Sequence, residues 1–210
     1  MPERDPATIQ ALGDQIMVDP DLARQNEANA ALTGGSDHSI PPVVATREEI
    51  ADARLEAADL AGGSRNLVAL GKPRAVETPL AENVRYSVLE LAKVTSAPSA
   101  CVEAASFSAR WAGRMPESFP IYPRGNTIEA AGSDDGRCAL RAVRFLTPVD
   151  GRAVLTFYAA KARKAGLPRS HFLQGDSEIL RGSVGKKIYI VHVSQRPSGL
   201  SEVGLVTSGL

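Results

Sequence analysis

CALRAVRFLTPVDGRAVLTFYAAKARKAG, residues 138–166, changes its hydrophobic period half-way along, and that change decides the fold. Ala139, Arg141, Val143 and Phe145 alternate with Leu140, Ala142, Arg144 and Leu146, a period of two that reads as a strand over 138–147. Asp150 then suits a helix N-cap. Val154, Phe157, Tyr158, Ala162 and Ala165 recur at helical spacing over 152–165, with Lys161, Arg163 and Lys164 in the last turn, where cations complement the macrodipole. Gly166 is a stop signal.

Outward from this stretch the strand period prevails. Strands are expected at 126–131, 177–182, 186–194 and 201–207, with Gly132-Ser-Asp-Asp-Gly136 and Arg196-Pro-Ser-Gly199 as turns. Ile188-Tyr-Ile-Val-His-Val193 is apolar on both faces, as in a central strand. The order strand, strand, helix and three strands predicts an α+β fold, an antiparallel sheet covered by one helix and preceded by N-terminal helices.

Upstream the chain changes character. Asp5-Pro6 and Asp19-Pro20 are helix starts, and residues 33–45 read as a linker. Thr46-Arg-Glu-Glu49 fits a capping box opening an alanine-rich helix striped by Ile50, Ala53, Ala57 and Leu60. Such a stripe buries too little to stand alone. Thr78-Pro79 opens a helix through Val84, Val88 and Leu91. Ser99 is expected to cap another helix ending near Met115-Pro116, with Phe107 and Trp111 as packing anchors. The organisation expected is a loosely structured helical extension over 1–77, a helical pair over 78–116 and an α+β sheet domain over 117–210.

The 210 residues are neutral in sum but divided in sign: residues 1–105 carry a net −7 and residues 106–210 a net +7. Such segments either dock on each other or leave one facing an anionic partner. No run of apolar residues is long enough for a membrane span. The opening Met-Pro-Glu-Arg-Asp-Pro is polar and unlike a leader, which taken alone reads as cytoplasm.

Cys101 and Cys138 are the only cysteines. In a reducing compartment they are small buried hydrophobes; in an oxidising one they bridge, closing a loop of about 38 residues worth about 4 kcal/mol. Neither sits beside a histidine or in a Cys-x-x-Cys pair, so neither reads as a catalytic thiol.

No motif specifies chemistry. His38, His171 and His192 are far apart without ligand spacing, so no metal is expected, and His192 reads as a sheet residue. Ser177 and Ser183 do not sit in Gly-x-Ser-x-Gly, and no phosphate-binding loop occurs, so no cofactor is expected. Asp134-Asp135 reads as a solvated turn. Lys161, Arg163, Lys164, Arg169, Arg181, Lys186 and Lys187 fall where a basic patch could gather at one sheet end. With aromatics at 5%, nucleic acid is not the expected partner. Arg141, Arg144, Tyr158 and His192 are the polar groups that would have to converge in a pocket if the domain were an enzyme or small-ligand carrier.

Several segments taken together carry a resemblance: Asp14-Gln-Ile-Met-Val-Asp-Pro-Asp-Leu22, Phe119-Pro-Ile-Tyr-Pro123, Glu129-Ala-Ala-Gly132, Cys138–Phe145, Val154-Leu-Thr-Phe-Tyr158 and Ser201–Thr207. The chain resembles a group of alphaproteobacterial envelope proteins, many described as lipoproteins, for which no activity is established. The resemblance implies an exported, periplasmic or outer-envelope protein, lipid-anchored on a cysteine this chain lacks, with Cys101 and Cys138 bridged. The expected partner is an envelope protein or surface and the expected role non-enzymatic. An enzymatic or small-ligand domain, or a peripheral binder of anionic lipid or cell-wall glycan, are the alternatives.

Overall fold

A computed structural model describes residues 43, 45–76, 81, 84 and 87–210, all within the compact unit Pro41–Leu210. The two helix starts before residue 40, most of the 33–45 linker and the helix opening at Thr78 lie outside the described residues.

Eight strands form one sheet: β1 (Arg74–Ala75), β2 (Ser106–Phe107), β3 (Asn126–Ser133), β4 (Leu140–Thr147), β5 (Ser170–Gln174), β6 (Ser177–Val184), β7 (Lys187–Gln195) and β8 (Ser201–Ser208). Their spatial order is β1-β5-β6-β7-β8-β4-β3-β2, antiparallel throughout except for the β1–β5 pair. The α+β class therefore stands, but the sheet is mixed, and three strands join the five expected from the sequence. Of these, β5 is a short strand closed by a two-residue turn: Gln174 pairs with Ser177 across Gly175-Asp176, with Gly175 at φ 58. Gly185, at φ 57, serves the β6–β7 hairpin in the same way, and both turns need the positive φ that glycine adopts without strain.

Among the described residues four α-helices accompany this sheet: α1 (Arg47–Leu60), α2 (Val88–Lys93), α3 (Ser99–Glu103) and α4 (Gly151–Lys164). Helix α4 starts where the sequence placed it, the Asp150 carboxylate accepting from the Arg152 and Ala153 amides. It buries Val154, Phe157, Tyr158 and Ala162 against Val143, Phe145, Tyr189, Val191, Val193, Val203 and Leu205 of the sheet. The expectation of a single covering helix is corrected by α2 and α3. They bury Val88, Leu91, Cys101 and Val102 on the opposite face, against Leu140, Ala142, Ile179, Ile190 and Val206. Alternation along β7 feeds both layers: Tyr189, Val191 and Val193 face α4, while Ile190 faces α2.

The helix expected from Ser99 to Met115 is broken. Helix α3 ends at Glu103, Ser106-Phe107 pairs with Gly132-Ala131 as β2, and a 3₁₀ turn follows over Ala109–Arg114. Edge pairing with β3 displaces the helix at Ser106-Phe107-Ser108, three residues of weaker helix propensity than the alanines around them. Trp111 is 2% exposed as expected of an anchor, but Phe107 stands 60% exposed.

Helix α1 carries the capping bond expected, the Glu49 amide donating to Thr46 Oγ1 at 3.1 Å. The Glu49 carboxylate, however, turns away from Thr46 to Arg124. Glu49, Asp52 and Glu56 lie on one helix face, and all three contact the Arg124 guanidinium, Asp52 at 3.1 Å and Glu56 at 2.9 Å. Those contacts push Arg124 above its ordinary pKa, hydrogen bonding to Glu49 and Glu56 being the main cause. Ala53 and Ala57 are buried in the same core as α4. Acidic α1 thus docks on the basic half through one multivalent arginine rather than through a diffuse field.

Candidate functional site

Cys101 of α3 and Cys138, just before β4, are disulfide-bonded with their Cα atoms 5.4 Å apart. The bond ties the α2–α3 layer to the β3–β4 connection. Cys101 is 6% exposed and packs in the Leu140–Val206 cluster, which makes the pair a structural staple.

The four polar residues that a pocket required divide between the two sides of the sheet. Arg141 lies on the α4 side, its guanidinium 4.9 Å from the Trp111 ring and ion-paired to Asp134. Tyr158 is fully buried on the same side and donates from its hydroxyl to Pro120 O at 2.9 Å. Arg144 and His192 lie on the other side, beneath α2. The convergence that an enzyme or small-ligand carrier would require does not form: a β-sheet sends successive side chains to opposite faces, so Arg141 and Arg144, three apart, cannot meet.

Arg144 and His192 do share a small space with Ser87, Val88, Leu91, Ser194, Glu202 and Gly204, of about 10 Å³, no more than a water would fill. Arg144 pairs there with Glu129 at 2.9 Å and Glu202 at 3.1 Å, all three side chains at most 20% exposed. Glu129 also accepts from the Val88 amide and Ser87 hydroxyl, both at 3.3 Å, and Arg196 closes the chain on Glu202. Every charge in this network has a counter-charge, so it anchors α2 to the sheet and has no group left to turn outward. Asp134, expected as a solvated turn residue, is held below the usual carboxylate range by Arg141 and, less strongly, Arg114.

His171, assigned no role from sequence, is a further polar node. Its Nε2 lies 2.7 Å from Glu178 Oε2 and its Nδ1 3.2 Å from the Gly71 carbonyl. Among the described residues no three His, Cys, Asp or Glu side chains converge as metal donors.

The seven basic residues sort differently. The C-terminal end of α4, the following Pro168-Arg169 and the β6–β7 hairpin occupy one end of the sheet, joined by the Tyr189 hydroxyl donating to Pro168 O at 2.7 Å. Lys161 is turned inward at 5% exposure, where desolvation and then Lys164 lower its pKa, and it borders a space of about 200 Å³ with Glu117, Ser118 and Lys164. It remains a last-turn cation of α4, as expected, but its burial keeps it from contributing to an exposed basic patch. Arg163 donates to Asn66 through the backbone carbonyl and the side-chain oxygen. Arg181 stacks over the Phe172 ring at 4.8 Å. Lys164, Arg169, Arg181, Lys186 and Lys187 have no carboxylate partner among the described residues, whereas Arg114, Arg124, Arg141, Arg144, Arg152 and Arg196 all do.

A cleft opens at this same end. It has a volume of about 400 Å³ and is framed by Val94-Thr95-Ser96 after α2, Pro168 and Ser170, Arg181–Ser183 of β6 and Ile188–Ile190 of β7. The sequence reading placed Arg181 in the basic set but did not find the cleft, because its walls come from segments almost a hundred residues apart. No described helix is long and apolar enough to cross a membrane. No protein-family model, curated protein or solved structure matches this chain.

Proposed function

We propose that this is an extracytoplasmic envelope protein that acts by contact rather than by catalysis, and that it presents its cationic sheet end to an anionic lipid surface. The observation that carries the reading is that five cations gathered at one end of the sheet have no carboxylate partner among the described residues. The acidic helix α1 and the interior glutamates take Arg124 and Arg144, while no carboxylate among the described residues pairs with Lys164, Arg169, Arg181, Lys186 or Lys187 at one end. Unpaired cations gathered this way attract anionic headgroups with about 1 kcal/mol each, screened by salt. The Cys101–Cys138 bond supports an oxidising compartment.

Co-sedimentation with vesicles of phosphatidylglycerol and phosphatidylcholine tests it. Binding should require the anionic lipid and disappear at high salt. Lys186→Glu with Lys187→Glu should weaken it by more than about tenfold, since two attractive charges become repulsive. Binding that ignores salt, or the absence of binding at low salt, overturns the proposal. Mass spectrometry of protein taken from its host should show no free thiol.

A further inference from the structure

We infer that the cleft between the α2–α3 connection and the β6–β7 hairpin is a binding site for a small organic anion, with Arg181 receiving the charged group. This does not rest on the lipid-surface reading.

Arg181, Ser170 and Ser183 belong to one face of the sheet. Ser170 pairs directly with Arg181, and Ser183 is two residues further along β6. All three line the cleft. The Arg181 guanidinium sits over the Phe172 ring, its Cζ 4.8 Å from the centroid, and the Arg74 guanidinium lies 5.6 Å from the same ring. Stacking restrains the plane of a guanidinium and leaves its edge donors free, the arrangement from which arginine grips a carboxylate or phosphate bidentately. Arg114 and Arg141, which lie over Trp111, also pair with Asp134; Arg181 borders an opening of about 400 Å³, within the range of small-ligand sites.

The remaining walls favour a ligand with a short apolar body. Ile188 and Ile190 form the floor and Val94, 37% exposed, the opposite rim. That rim is fixed rather than loose. Thr95 donates from Oγ1 to Ala92 O at 2.7 Å and accepts from the Ala97 amide at 3.1 Å, while its own amide also bonds to Ala92 O. Gly182 keeps the back wall thin, for a Cβ there would come within 2.1 Å of Pro168 O. The cleft is therefore preformed, which lowers the entropy lost on binding.

Calorimetric titration of the intact, oxidised protein with hexanoate and with hexyl phosphate tests the site, hexyl glucoside serving as the uncharged comparison. At least one of the two anions should bind with one-to-one stoichiometry, and the glucoside far more weakly. Arg181→Gln should weaken binding by about tenfold or more, the loss expected of a charge-assisted hydrogen bond. Ser183→Trp, an exposed position that fills the cleft, should abolish it, whereas Lys186→Glu with Lys187→Glu should leave it essentially unchanged. Failure of both anions to bind at millimolar concentration overturns the inference. So does binding that survives both Arg181→Gln and Ser183→Trp. Loss of vesicle binding with retention of the anion site would discard the surface proposal alone.

Discussion

Replacing Cys101 and Cys138 together by alanine should lower stability by about 4 kcal/mol. The staple joins residues 37 apart in sequence, and in the chain-entropy account the cost of closing such a loop in the unfolded chain is about that size. The native state should change little, because α3 still buries Cys101's neighbour Val102 and β3 still pairs with β4 from Glu129 to Ser133, next to the bridge. Urea unfolding followed by fluorescence reads the effect directly. Trp111 is the only tryptophan, lies inside the closed loop and is buried between the guanidiniums of Arg110, Arg114 and Arg141. With a slope of about 2 kcal/mol per molar urea, the midpoint should fall by about 2 M. Wild-type protein held in reductant should unfold at the same lowered midpoint. Coincident midpoints for oxidised, reduced and alanine forms would refute the argument, since the bond would then constrain nothing that folding has to close.

Two further perturbations test the interior. Arg144→Met strands Glu129 and Glu202 beneath α2 and should cost about 3–5 kcal/mol in urea unfolding, most of it recovered when both glutamates are also made glutamine; equal stability of Arg144→Met and wild type would show that the network is solvated. Burial raises the tyrosine pKa values, Tyr122 to about 12 with Arg54 opposing slightly, and Tyr158 and Tyr189 well above their usual range. Unfolded tyrosines ionise near pH 10, so the unfolded chain loses protons first. Stability should be intact below about pH 10 and fall as the pH rises toward 12. Tyrosinate absorbance should then appear together with loss of near-ultraviolet circular dichroism; ionisation of these three near pH 10 in a still-native protein would refute the burial argument.

Local chemistry was legible in the sequence. Asp150, the 3.6-residue stripe through Val154 and Phe157, and the alternation from Leu140 to Leu146 each depend on neighbours within a turn or two, and each element formed where it was expected. The two-sided apolarity of Ile188–Val193 already required cover on both faces, and the α2–α3 layer supplies the second one. Reading that strand as central while allowing the sheet only one helix left half of its side chains without a partner. Gly175-Asp176 is a two-residue hairpin signal that joins β5 to β6, so β5 too is encoded locally.

What tertiary structure alone decided are the pairings. The sequence by itself determined the fold class, the helix caps and the separation of acidic from basic halves, because these follow from residue type and short-range spacing. It could not say that Arg124 would gather Glu49, Asp52 and Glu56, or that Lys161 would turn inward. Nor could it show that Ser106-Phe107 would leave a helix for the edge of β3, or that Arg181 would sit over Phe172 beside a cleft. These outcomes depend on which distant segments meet. Strand register, the alternation of side chains across the sheet and the loss of chain entropy on closing long loops settle that, and none of them is encoded in a local window.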